Sequence, residues 1–173
     1  MRALALAVRV RNSAGPEVSM HALILAAAVA LSPQNPGDLT RDLVMDVCLP
    51  YAADGVADQA VISRVGLDGL VEDGQGDFQT RNQVHLVQMT RSGGAEEGNL
   101  RRVCVVQARA GGFEQARDAV SAPLESAGFT ASPDEPEDWP VWTRAGVTVS
   151  VHQNPGRATV IRTSFSSLDA EGS

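Results

Sequence analysis

The stretch from Trp139 to Phe165 reads WPVWTRAGVTVSVHQNPGRATVIRTSF, and its alternation restricts the fold more than any other feature. Val147, Val149 and Val151 alternate with Thr148, Ser150 and His152. A strand sends successive side chains to opposite faces, so this run sets valines against a core and polar groups outward. Asn154-Pro155-Gly156-Arg157 is a turn, and ATVIRTSF runs on beyond it. The segment therefore predicts a hairpin with one buried face. A second pair of runs lies upstream, QVHLVQMT (Gln83–Thr90) and RRVCVVQAR (Arg101–Arg109). The Gly-rich, charged RSGGAEEGNL between them predicts a long hairpin turn.

Between the hairpins the period becomes helical. Phe113, Ala116, Val120 and Leu124 form one apolar stripe, with Glu114, Arg117, Asp118 and Glu125 turned away. Pro123 is expected to kink or divide this helix, and Gly128-Phe129 closes it. Near the start, Asp38 or Thr40 is placed to cap a helix reaching about Cys48, with Leu39, Leu43, Val44 and Val47 buried. Pro50 is expected to stop it. Asp54-Gly55 is expected to open a second helix reaching about Val65, with Gly66 just past its end. VEDGQGDFQTRN (71–82) reads as a loop, and SPDEPED (132–138) as an acidic, Pro-rich loop. Two helices, a hairpin, a helix and a hairpin predict an α+β fold, an antiparallel sheet built from two hairpins with helices packed on one face. The prediction is one domain over residues 39–166 and a disordered tail at 167–173, with no 20–50-residue sequence repeat.

Met20 begins MHALILAAAVALSPQNPGD. Ala22 to Leu31 is apolar, too short to span a bilayer and suited to a signal-peptide core. Ala28-Val29-Ala30 is an A-x-A site, so residues 1–30 are expected to be a leader cleaved after Ala30 and 31–38 a linker. Arg2, Arg9 and Arg11 supply a positive start, interrupted by Gly15, Pro16 and Glu17. Alternatively Met20 is the true start and residues 1–19 a mis-called extension. A third reading is an N-terminal helix packed on the domain. No cysteine closely follows the apolar run, so no lipid anchor is expected, and no membrane anchor after cleavage.

The formal net charge is −7, and losing residues 1–30, with three arginines and one glutamate, makes it −9. That balance argues against nucleic-acid partners and anionic membrane surfaces, which need a basic stripe. Lysine is absent, so all 14 basic residues are arginine. Schiff-base and P-loop chemistry both require a lysine amine and are excluded. Aromatics are only 4%, so the core must rest on aliphatic side chains.

Few residues point to chemistry. Cys48 and Cys104 are the only cysteines. In an exported chain an even pair is most simply a disulfide. The sharper alternative is a thiolate nucleophile: a turn centred near Ala95 and Glu96 would set Cys104 opposite Val87 with His85 diagonal. Without the leader only His85 and His152 remain as histidines, and no C-x-x-C or H-E-x-x-H spacing occurs, so no metal and no cofactor is expected. Glu72, Asp73 and Asp77 around two glycines lack the calcium-loop pattern and read as a solvated turn. G-x-S-x-G and a dinucleotide fingerprint are missing. Trp139 and Trp142, with Arg144 nearby, are read either as closing the end of an aromatic-poor core or as a contact surface.

VCLPYAADG at a helix end, the later strand RRVCVV and a helix ending ESAGF, behind a signal peptide, resemble a group of small, uncharacterised exported proteins of alphaproteobacteria with a Cys-Leu-Pro stretch. The resemblance covers roughly Leu43 to Phe129, and Pro123 departs from its helix pattern. It implies export and a shared disulfide-bearing fold, and no activity. The reading of the whole sequence is an exported, soluble, non-enzymatic binding or envelope-interaction domain, periplasmic or secreted, whose partner is an envelope protein or small ligand. The alternatives are a small periplasmic hydrolase or thiol enzyme and a purely structural envelope protein.

Overall fold

The computed structural model describes residues 35–69 and 75–170. The expected leader, its processing site and Glu72–Asp73 lie outside the described residues. Asn35 opens the first helix by accepting the Gly37 N–H at 3.2 Å through Oδ1. Pro36 stands in the first turn of α1 (Pro36–Asp42), where its missing N–H has no intrahelical partner to lose. The expected linker therefore ends at Asn35, and Asp38 and Thr40 lie inside the helix.

The chain then runs unbroken through a π-helical turn (Leu43–Cys48) into α2 (Leu49–Asp54). Pro50 does not stop the helix. In a regular helix its ring would strike the carbonyl four residues back, and its missing N–H would break a bond. Here it falls in the first turn of α2, directly after a wider turn whose bonds reach five residues back. Gly55 ends the helix at φ +75°, its N–H bonded to Tyr51 O at 2.9 Å. Asp54-Gly55 is thus a stop rather than a start. The next helix, α3 (Gln59–Arg64), is opened by Asp58, which accepts from Ala60 N at 2.8 Å.

Strands β1 (Leu67–Asp68), β2 (Gly76–Thr80), β3 (His85–Ser92) and β4 (Arg101–Ala108) follow, then α4 (Gly112–Ser126). After it come β5 (Thr130–Ala131), β6 (Val141–Arg144), β7 (Val147–Gln153), β8 (Thr159–Ser166) and α5 (Ser167–Ala170). All neighbours are antiparallel, in the order β1-β2-β3-β4-β8-β7-β6-β5. The sheet is two four-stranded meanders joined through their last strands. The expected α+β class with an antiparallel sheet holds, but the sheet has eight strands rather than two hairpins: β3, β4, β8 and β7 are its centre, and β1, β2, β5 and β6 extend it on both sides. Part of the loop expected at 71–82 is β2. The run from Trp139 to Gln153 is not one strand, because Ala145 and Gly146 turn it at φ +47° and +77°. Paired positive φ values match the twist of a tight hairpin.

Alternation assigns the two sheet faces. Val87, Met89, Cys104, Val106, Val149, Val151 and Ile161 are buried against Val44, Val47 and Tyr51 of the first helix and Val120 and Leu124 of α4. Cys48 and Cys104, both fully buried, are joined by a disulfide with Cα atoms 5.3 Å apart. The bond ties the end of the π-helical turn to the middle of β4. Pro123 does not divide α4, which runs to Ser126. The expected disordered tail begins instead with α5, whose first residue is docked: Ser167 N donates to Leu100 O at 3.1 Å and its hydroxyl to Gly98 O at 2.8 Å.

Candidate functional site

The β3–β4 register decides the thiol reading. Cys104 pairs with Met89, while His85 pairs with Ala108 at the far end of the hairpin. The turn is centred one residue later than expected, which moves every pairing by two. No cysteine among the described residues is free, so neither Cys48 nor Cys104 is a nucleophile in this state. His85 serves packing. It is fully buried beneath α1, with Nε2 at 2.9 Å from the Thr40 hydroxyl, which also reaches Pro36 O at 2.9 Å. Both contacts are hydrogen bonds only if Thr40 donates to the carbonyl and His85 Nε2 donates to Thr40. Nδ1 is buried without a partner among the described residues. Burial pushes the His85 pKa down, so the ring is neutral near pH 7.

Trp139, Trp142 and Arg144 go to three different places. Trp142, 3% exposed, is in the core and is not part of a contact surface. Trp139, 46% exposed, lies outside and stacks on His152 with ring centroids 4.2 Å apart and planes 4° apart. Arg144 lies over the Phe129 ring at 4.8 Å and donates to Ala127 O past the end of α4. Period two puts Trp142 and Arg144 on one face of β6, opposite Val149 and Val147; Trp142 is inside the sheet, Arg144 is at the exposed end of the strand, and Trp139 precedes Pro140 and the strand.

The second sheet face carries only the short α5, which sits at one end of the central strands, with Asp169 beside Arg101, Val103, Thr148 and Arg162. One cross-strand row runs Asp77, Gln88, Val105, Arg162, Ser150, Val141. The adjacent row holds Leu86, Gln107, Val160 and His152, ending under Trp139. Val103, Val105, Val160 and Leu86 are half-buried, and Arg162 is exposed between Val105 and Ser150, sharing a concavity with Arg101 and Asp169. Burial, then the Arg162 charge, lowers the His152 pKa.

Among the described residues, a groove and a pocket lie on the helical side. A wide groove of about 630 Å³ between α1 and α4 has Asp38, Glu114 and Asp118 on its walls, together with Arg41, which is held by Asp42 at 2.8 Å and Asp38 at 3.6 Å. A smaller pocket of about 280 Å³ lies between the π–α2 helix and the β6–β7 turn. Met45, Leu49, Pro50 and Ala53 form one wall, Phe129 and Val147 the other, and Asp54 and Arg144 stand at the rim. Among the described residues no group of His, Cys, Asp or Glu side chains is placed to hold a metal, and no helix is long and apolar enough to cross a membrane. Sequence reasoning missed this pocket. Its signal was the run LVMDVCLPYAA, which has only Asp46 as a charged residue and is therefore apolar on more than one helix face.

No protein-family model, curated protein or solved structure matches the chain.

Proposed function

We propose that the chain is an exported, soluble binding domain of the periplasm or the secreted fraction, held by the Cys48–Cys104 bond, whose partner meets the sheet face opposite α1, α2 and α4. The observation that carries this reading is that face. An eight-stranded sheet has one side packed on helices, while the other presents half-buried valines, Arg162 and the Trp139–His152 stack to solvent. Apolar side chains interleaved with an aromatic anchor and an arginine are the composition of protein contact patches. A buried disulfide supports an oxidising compartment, since thiols stay reduced in a cytosol. The apolar leader and the resemblance to exported alphaproteobacterial proteins support the same location. The partner is an envelope protein.

Export and binding are tested separately. The full chain, expressed in a Gram-negative host, is expected in the periplasmic fraction, with a mass starting at Leu31 and no thiol open to alkylation after denaturation. An uncleaved cytoplasmic product with alkylatable cysteines refutes export. For binding, a photo-crosslinking residue is placed at Gln88 on the open face or at Asp118 on α4. A discrete adduct in envelope extract from position 88 and not from 118 is the expected result. Equal labelling from both positions, or none, rules out the face.

A further inference from the structure

The first helix buries more than one side. Leu43, Val44, Val47, Cys48, Tyr51 and Ala52 face the core. Met45, Leu49, Pro50 and Ala53 form a second apolar stripe that remains partly exposed. An apolar helix face left at the surface marks a contact site. Here it is one wall of a concavity, with Phe129 and Val147 opposite. At about 280 Å³ the pocket is just under the usual range for small-molecule sites, roughly 300–1,000 Å³. That suits a short chain rather than a folded partner. Met45 adds an unbranched, polarisable side chain that adapts to such a chain.

The rim determines the ligand's charge. Arg144 is held in place by its stacking on Phe129 and its bond to Ala127 O, and it forms no ion pair among the described residues. Asp54 is differently placed. It lies between Ala53, whose carbonyl accepts from Arg102, and Gly55, against which the same guanidinium rests, so a fixed cation of the protein already stands beside it. Arg144 is thus a fixed cation without a carboxylate partner among the described residues, at the mouth of an apolar pocket.

We propose that the pocket between α2 and the β6–β7 turn binds a small anionic amphiphile, its short apolar tail along Met45, Leu49 and Ala53 and its carboxylate on Arg144. This site is on the opposite side of the sheet from the face assigned to the envelope partner, so either assignment can fail alone.

The test is a titration of the full chain, disulfide intact, followed by amide NMR and calorimetry, with octanoate as the probe and 1-octanol and octyltrimethylammonium as comparisons. Octanoate is expected to shift Met45, Leu49, Ala53 and Phe129 saturably below its micelle concentration. Arg144→Gln is expected to weaken octanoate about tenfold, the loss of one charge-assisted bond, while leaving octanol unchanged. Arg144→Lys should restore much of the octanoate affinity, which separates lost charge from a loosened α4 end. Failure to saturate, shifts centred away from these residues, equal binding of the cationic probe, or an Arg144→Gln protein that binds octanoate normally would each overturn the assignment.

Discussion

Removing the Cys48–Cys104 bond tests how the fold is held. The bond closes a loop of 56 residues. In the chain-entropy picture, closing a loop of that length disfavours the unfolded chain by about 4 kcal/mol, and measured bonds typically give ~2–4. For a domain of about 130 residues the unfolding entropy is roughly 0.3 kcal/mol/K, so the melting temperature should fall by about 7–15 °C. Both sulfurs are fully buried, so reduction requires unfolding first, and the Cys48→Ala/Cys104→Ala protein also loses packing. The comparison should therefore include wild type reduced in denaturant and refolded with reductant present. An unfolded chain without the cross-link exposes more surface, so the urea m-value must rise as the midpoint falls. A reduced protein melting within about 2 °C of the oxidised one would show that the loop is not what the bond restrains. A lower midpoint with an unchanged m-value would instead assign the loss to packing around the sulfurs.

Further outcomes follow from individual contacts. His85 has a folded pKa below its unfolded value of about 6.5, so below that pH the unfolded chain takes up a proton that the folded one refuses. Urea stability should be flat above about pH 6.5 and fall as the pH drops toward the folded value, and His85→Gln should flatten the fall; an equally steep fall in the variant would show that His85 is not its source. Arg102 donates to Ala52 O at 2.8 Å and to Ala53 O, and lies 4.6 Å from the Phe165 ring, so Arg102→Ala should cost about 2 kcal/mol in chemical denaturation. A cost within about 0.5 kcal/mol would mean that water replaces these contacts fully. The Trp139→Phe protein should keep emission from Trp142 that resists acrylamide, because Trp142 is buried; ready quenching would place Trp142 outside the core.

The central hairpins could be read from sequence because their inward positions are strongly apolar: Val87 and Met89, Val106, Val149 and Val151 alternate without interruption. The same alternation places His85 inward, the one available sign that it is buried rather than catalytic. Strand β2 was hidden because Asp77 and Gln79 point outward and only Phe78 and Thr80 turn in. Its glycines resemble a loop's. The reversal at Ala145-Gly146 carried a single glycine as its signal. Pro50 misled because its tolerance depends on the π-helical turn before it, a backbone state that residue type does not specify. The apolar pocket depended on distant segments, with Leu49 and Phe129 meeting only once α4 has crossed the sheet. The Trp139–His152 stack likewise joins residues from a loop and a strand whose register is set by β8.

The position of β8 has a consequence for how the molecule is assembled. The last strand among the described residues is an inner strand of the sheet, between β4 and β7. Losing residues from Thr159 onward would not trim an edge; it would part the two meanders and bare a backbone ladder on each. While the C-terminal strand is still missing, as on a ribosome or in a translocating chain, β4 and β7 are unpaired templates for any other extended segment. Completion of the sheet therefore waits for β8, and a second copy's β8 is the closest structural mimic of the strand that is awaited.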